Sequence, residues 1–202
     1  MRPGGMDVVP MVIEQSGHGE RAFDLYSRML RDRIVCLTGP IDEQSAGLVT
    51  AQMLYLEAED PEEPIRLYLQ SPGGDVYAAL AICDTMGLLH APVSTVAMGL
   101  CASAAAVVLA CGAPGKRFCL PHSTIMIHEP WVQGPGSRTT ASDLRIEAEE
   151  TLRLRTVLQG LLAERTGRPV DEVARDMERD LWLPAERAVA YGLADGILAG
   201  GN

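Results

Sequence analysis

Hydrophobic positions along this chain fall into short blocks divided by turn residues, and the blocks alternate between two periods. Apolar runs of strand length, several rich in β-branched residues, occur at 34–37, 65–69, 93–97, 118–120 and 124–128. Between and after them lie stretches with helical spacing. Positions 22–33 place Leu25 and Met29 among charges. Positions 42–59 put Val49, Met53 and Leu56 on one face, with acids in the first turn. Helices are also predicted over 75–89, 104–111, 141–165, 169–179 and 185–191. The stops are Pro61 and Pro64, Gly112, Gly167 and Gly192. Strand followed by helix, repeated, predicts an α/β chain with parallel units. An apolar patch at 8–13 precedes a polar loop at 15–19. A buried segment so near a terminus needs something to pair with, such as a neighbouring subunit. Positions 197–198 form a short apolar end.

One stretch stands out. Met98-Gly99-Leu100-Cys101-Ala102-Ser103-Ala104 joins the 93–97 strand to the 104–111 helix through small residues. Ser103 therefore falls at a strand-to-helix turn, beside free backbone N–H groups and the positive end of a helix dipole. That setting suits a nucleophile whose attack creates an oxyanion. Most serines before a helix are simply N-caps, and the stretch alone favours that reading. Ser71-Pro72-Gly73-Gly74 repeats the pattern one unit earlier, where two glycines allow a close approach or a positive φ. Neighbouring parallel units put such turns at one sheet edge, where sites gather. His128 ends an apolar strand, and Asp180 follows a helix. A serine, a histidine that takes its proton and an aspartate that orients the histidine form a nucleophilic set. Spacing alone does not bring the three together. His122 shares the parity of His128, but no cysteine or carboxylate set completes a metal site.

Composition narrows the picture. With 202 residues, one domain with a sizeable core is the default. Hydrophobic residues are 47% and aromatics 4%, so the core is aliphatic and rich in small residues. A net charge of −10 argues against nucleic acid or an anionic membrane as partner. The uncharged run 91–115 contains Pro92, Gly99, Gly112 and Pro114 and is too weakly apolar to insert in a membrane. Cys36, Cys83, Cys101, Cys111 and Cys119 are isolated and without a C-x-x-C pair, which suggests reduced core thiols and a cytoplasmic location. Cys101, two residues from Ser103, is a competing nucleophile, though nothing places it at the helix start.

Several motifs in order then carry a resemblance. Ser71-Pro72-Gly73-Gly74, Met98-Gly99-x-x-Ala102-Ser103, Gly115-Lys116-Arg117-Phe118, Met126-Ile127-His128-x-Pro130 and Glu178-Arg179-Asp180 resemble the ClpP family, the proteolytic subunits of the caseinolytic (Clp) protease. So do Val9-Pro10-Met11-Val12-Ile13-Glu14-Gln15, Gly19-Glu20-Arg21, Tyr26-Ser27-Arg28 and Ala51-Gln52-Met53-Leu54, and the match runs from about Val8 to the C-terminus. The resemblance implies an α/β, crotonase-like ββα spiral with a projecting handle helix and strand. It implies a single peptidase domain over 1–202, with a leader and axial segment at 1–20 and a handle at about 129–165. By the same resemblance Ser103 is the nucleophile, His128 the general base and Asp180 the orienting acid. Gly74 and Ala104 supply the oxyanion hole. Unfolded polypeptide binds as an added strand between Gly74, Asp75 and Val76 on one side and Glu129 and Trp131 on the other.

The implied partners are heptameric rings stacked into a tetradecamer, a possible related subunit in a mixed ring, and a hexameric Clp ATPase of the ClpX, ClpA or ClpC type. Tyr55, Tyr68 and Leu88 are candidates for the ATPase-docking pockets, or else for core or interface packing. No cofactor is implied. The chain departs from the pattern at Leu100, Cys101, Thr124 and Glu129, where many members have Gln, Ala, Arg and Gln. Its loop after Pro130 is longer and contains Pro135. These departures bear on ring pairing and constitutive activity, so a structural or regulatory subunit of a mixed ring is the alternative to an active protease. An acyl-CoA enzyme of the same fold is disfavoured, because such enzymes do not need Ser, His and Asp together. The arginine preceding the catalytic aspartate makes ring-to-ring ion pairs in the family, so Glu129 and Arg179 are expected to pair, within or between rings.

Overall fold

The computed structural model describes residues 9–16, 19–131 and 140–200. Residues 1–8 of the expected leader and axial segment and the loop containing Pro135 lie outside the described residues. The chain is a mixed α/β fold built on a seven-stranded, mostly parallel sheet.

The N-terminal segment forms a hairpin. Strands β1 (Met11–Ser16) and β2 (Gly19–Asp24) pair antiparallel, so residues 11–13 of the apolar patch find their partner in this chain. The helix expected over 22–33 is shortened to α1 (Leu25–Arg31), because Ala22 to Asp24 are taken into β2 and the Asp24 side chain then caps the helix. The loop expected at 15–19 likewise loses Gln15, Ser16 and Gly19 to the hairpin.

From there each unit follows its local signals. Strand β3 (Ile34–Thr38) leads to α2 (Glu43–Glu59), where Asp42 and Ser45 close a capping box. Strand β4 (Ile65–Ser71) leads to α3 (Val76–Leu88), capped by Asp75. Strand β5 (Val93–Ala102) leads to α4 (Ala104–Ala110), every residue of which is buried. The three strands run parallel in the order β3, β4, β5.

β5 differs from expectation. The turn anticipated at 98–102 is strand, and only Ser103 separates β5 from α4. Gly99, at φ 57°, marks the change of neighbour. Before it, Thr95 to Ala97 pair with β6 (Arg117–Cys119). After it, Leu100 to Ala102 pair with β7 (Thr124–Ile127). A single long strand thus carries its last residues onto a second part of the sheet.

The remaining elements are α5 (Ala141–Thr166), α6 (Val170–Asp176), β8 (Leu181–Pro184), α7 (Ala185–Tyr191) and β9 (Gly196–Ile197). β8 pairs antiparallel with β7, and β9 pairs parallel with β6. Gly167 closes α5 in the left-handed conformation, and Gly192 closes α7 in the same way. α5 buries only Leu154, Leu158 and Leu162, all in its second half, while Leu144, Ile146 and Leu152 stay exposed.

Arg117 ties the C-terminal end to the sheet. Its guanidinium donates to Asp195 (Nε to Oδ2 3.0 Å) and to the carbonyls of Arg165 and Gly192, both 2.9 Å. The two side chains are only 11% and 22% exposed. Burial alone would raise the Asp195 carboxyl, but its hydrogen bonds from Arg117 hold it below the ordinary value. The stability it contributes is therefore present above the unfolded pKa and is lost as pH falls through the folded one. Asp195→Ala, which strands the Arg117 charge, is expected to cost about 3 kcal/mol. Urea denaturation would measure the loss, which should shrink toward zero in acid below about pH 4.

Candidate active site

The site forms where β5 and β7 end. Ser103 has φ 56° and ψ −126°, an uncommon conformation for a non-glycine residue. Its N–H donates to the Met126 carbonyl at 2.7 Å, which fixes the turn to β7. Its side chain makes no cap hydrogen bond, so the N-cap reading is overturned. Instead Ser103 Oγ lies 2.8 Å from His128 Nε2. His128, one residue past β7, holds Nδ1 3.0 Å from Asp180 Oδ1. Asp180 directly precedes β8, and the antiparallel β7–β8 register brings it level with His128 from 52 residues away. The His128 side chain is 15% exposed, while that of Asp180 is 53% exposed in the single chain. A hydroxyl, an imidazole and a carboxylate so connected can pass the hydroxyl proton to the ring and stabilise the imidazolium.

Cys101 does not compete. It points into the core on β5, fully buried, and burial pushes its thiol far above the ordinary range. All five cysteines are free thiols. Among the described residues no group of three His, Cys, Asp or Glu side chains is placed to hold a metal, His122 included.

Two glycines shape the other wall. Gly73 (φ 90°) lets the β4–α3 turn lie against the Ser103 turn, where a Cβ would come within 2.7 Å of Ser103 Cβ and the Ala102 carbonyl. Gly74 forms an isolated parallel bridge with Ile41, and a Cβ there would stand 2.1 Å from the Ile41 carbonyl oxygen. Two hydrogen bonds hold this crossing, Ile41 N–H to Gly73 O (2.9 Å) and Asp75 N–H to Ile41 O (2.8 Å). Ala104, buried at the first position of α4, has an amide with no acceptor inside its own helix.

An open cleft of about 470 Å³ runs past Ser103 and His128, walled by Gly74, Val76, Met126 and Trp131. Gly74, Val76 and Trp131 thus line the cleft. Asp75 does not face this cleft. Its carboxylate caps α3 by accepting from Ala78 N–H, and the residue lines the neighbouring groove between α2 and α3. Glu129 is fixed by its N–H to the Met177 carbonyl, and its carboxylate meets Arg155 of α5 (Nη1 to Oε2 3.4 Å). Arg179 is exposed and makes no ion pair within the chain among the described residues. The pairing of Glu129 with Arg179 is therefore absent within the chain.

Three residues at or beside the site were not foreseen. Met126 shares a strand face with His128 two residues on, and that period-two parity was the available signal. Tyr77 donates its hydroxyl to Glu150, linking α3 to α5, and Arg155 holds Glu129. Neither of these contacts leaves a local sequence signal.

A family model described as Clp protease matches residues 17–200 of the chain. That match defines the class: the protein is a protease of the serine type. It belongs to the Clp protease family. No helix among the described residues is long and apolar enough to cross a membrane.

Proposed function

We propose that this chain is an active ClpP-type endopeptidase in which Ser103 is the nucleophile, His128 the general base and Asp180 the group that orients it. The observation that carries this reading is the continuous connection Ser103–His128–Asp180, made by a serine that forgoes its cap bond. Gly74 and Ala104 donate to the oxyanion. Ser103 attacks the peptide carbonyl, His128 receives the hydroxyl proton and passes it to the leaving amine, and water then releases the acyl-enzyme by the same route. The substrate lies as an added strand between 74–76 and 129–131.

Assembly belongs to the same proposal. The α/β core is a ββα spiral, and α5 with its exposed apolar first half is the handle through which heptameric rings stack into a tetradecamer. A neighbour that covers Asp180 would strengthen its hold on His128 by removing competing water. A hexameric Clp ATPase feeds unfolded chains. Exposed Tyr55 and Leu88 suit such docking better than half-buried Tyr68. Labelling of Ser103 by a fluorophosphonate, native mass spectrometry and a short-peptide assay on the chain alone test the proposal together. The expected result is labelling, rings, and peptide hydrolysis without ATP, with folded proteins degraded only when the ATPase is added. An unlabelled Ser103 in intact rings would sink the active reading and favour the structural subunit of a mixed ring.

Glu129 offers a finer test. Its pair with Arg155 is partly exposed and worth about 0–1 kcal/mol per chain. Repeated around two rings, and joined by Arg179 from the opposite ring, it bears on stacking. Glu129→Gln is expected to weaken stacking at low salt and to flatten its salt dependence. Sedimentation across a salt series would show this. Arg155→Met should match Glu129→Gln if Arg155 is the partner that matters, and Arg179→Met should match it if Arg179 is.

A further inference from the structure

The sheet face that carries the Ser103–His128–Asp180 row continues past it as an uncharged ledge. Side chains alternate across a strand, and paired residues share a face. Stepping back two residues along β7 from His128 gives Met126, which pairs with Ala102 of β5 and Trp182 of β8. Another two residues give Thr124, which pairs with Leu100 and Pro184. Each row lies about 7 Å beyond the last. The opposite face of the same strands holds Cys101, Ile125 and Leu183, all in the core. Leu100 and Thr124, two of the chain's departures from its family pattern, are thus direct cross-strand neighbours.

The ledge is apolar and open. Trp182 is 49% exposed and Leu100 37%, in a chain of net charge −10, yet no acid or base stands in these two rows. It is also continuous with the cleft. Met126 is nearly buried, belongs to the row of Trp182, and lines the cleft beside Ser103 and His128. Trp182 adjoins Met126 across the β7–β8 pair, and Leu100 lies one row further along β5.

We infer that Trp182 and Leu100 form a specificity surface outside the cleft, which takes large apolar side chains of the substrate polypeptide a few residues from the bond that is cut. The inference rests on the peptidase reading proposed above. An extended peptide with Leu or Phe at those positions gains by covering apolar surface on both partners, whereas Ser or Glu there gains nothing. The chain is then selective for the segments that an unfolded protein exposes and a folded one hides.

The test uses two ten-residue peptides without tryptophan. They share their central residues and differ in flanks of Leu and Phe or of Ser and Glu. Cutting of the Leu/Phe peptide is expected to exceed that of the Ser/Glu peptide about tenfold in kcat/KM, mainly through KM. Trp182→Ala and Leu100→Ser should each reduce that ratio toward one, and Trp182→Phe should restore most of it. Binding is read separately. The chain has two tryptophans, so Ser103→Ala with Trp131→Phe leaves Trp182 as the only reporter. Its emission should shift to the blue with the Leu/Phe peptide and stay unmoved with the other.

Fluorophosphonate labelling of Ser103 separates the two readings. A labelled Ser103 with the same peptide ratio in wild type and Trp182→Ala overturns the ledge and leaves the peptidase standing. No labelling, with the Trp182 shift intact, removes the peptidase and leaves a peptide-binding face. A blue shift that grows with protein concentration in the absence of peptide means that a second copy covers the face, and it overturns the inference.

Discussion

Ser103→Ala is expected to lower kcat on a short peptide by on the order of 10⁶-fold, with assembly intact. The residual rate, roughly 10³–10⁴-fold over water, would come from binding and the oxyanion donors alone. Cys101→Ala should stay active, since that thiol is sealed in the core and held protonated. A second variant isolates the backbone. Ser103 sits at φ 56°, ψ −126°, a region that costs a non-glycine residue about 1–3 kcal/mol. Ser103→Gly relieves that cost, so it should be as inactive as Ser103→Ala yet more stable than it by about that amount. Thermal unfolding of the two dead variants side by side measures the strain held at the nucleophile. Equal stability would remove the strain argument, and an active Ser103→Ala would remove the nucleophile itself.

Gly74→Ala carries the second large effect. The added Cβ would meet the Ile41 carbonyl oxygen at 2.1 Å, against backbone that has no rotamer through which to escape. The φ of 155° is itself costly for alanine. The chain must open the Ile41 crossing, which breaks the two hydrogen bonds that fix the turn. Displacing the Gly74 amide from the developing oxyanion should lower kcat by about 10²–10³-fold. KM should change much less, because the amide is needed most when charge has formed. Fluorophosphonate labelling should slow in parallel, while circular dichroism shows a folded chain of reduced Tm. Gly47→Ala on α2, where a Cβ meets nothing within 4 Å, is the control for a glycine that is merely present. An unchanged kcat in Gly74→Ala would dismiss Gly74 as a donor.

The local elements were legible because their causes are local. Asp42 with Ser45 and Thr140 with Asp143 close capping boxes at the helix starts, and Gly167 and Gly192 take the left-handed turn at the ends. β4 follows its apolar run because it is central and hidden, and β3, the edge strand, follows its own because Val35 and Leu37 face the core. The place of Ser103 between an apolar strand and an apolar helix was legible too, but not the extent of the turn, which is that residue alone because 98–102 are strand. Candidates for all three members of the relay could be named, the serine with an ordinary alternative as an N-cap.

What the sequence by itself determined is therefore the alternation of strand and helix, the ends of most helices, and the residue types available for acyl transfer. Only the tertiary structure decided which of them meet. β5 runs on through Ala102 and changes neighbour at Gly99 because β6 and β7 each need an edge to pair with, and pairing is not written in β5 alone. Helix 22–33 shrank because the 11–16 strand claimed its first residues. Ser103 forgoes its cap for His128, Asp180 arrives from 52 residues away just before β8, and Glu129 finds Arg155 rather than Arg179. Each outcome depends on register between strands or on packing of a distant helix. Contacts of that kind couple residues far apart in the chain, and no window of neighbouring residues records them.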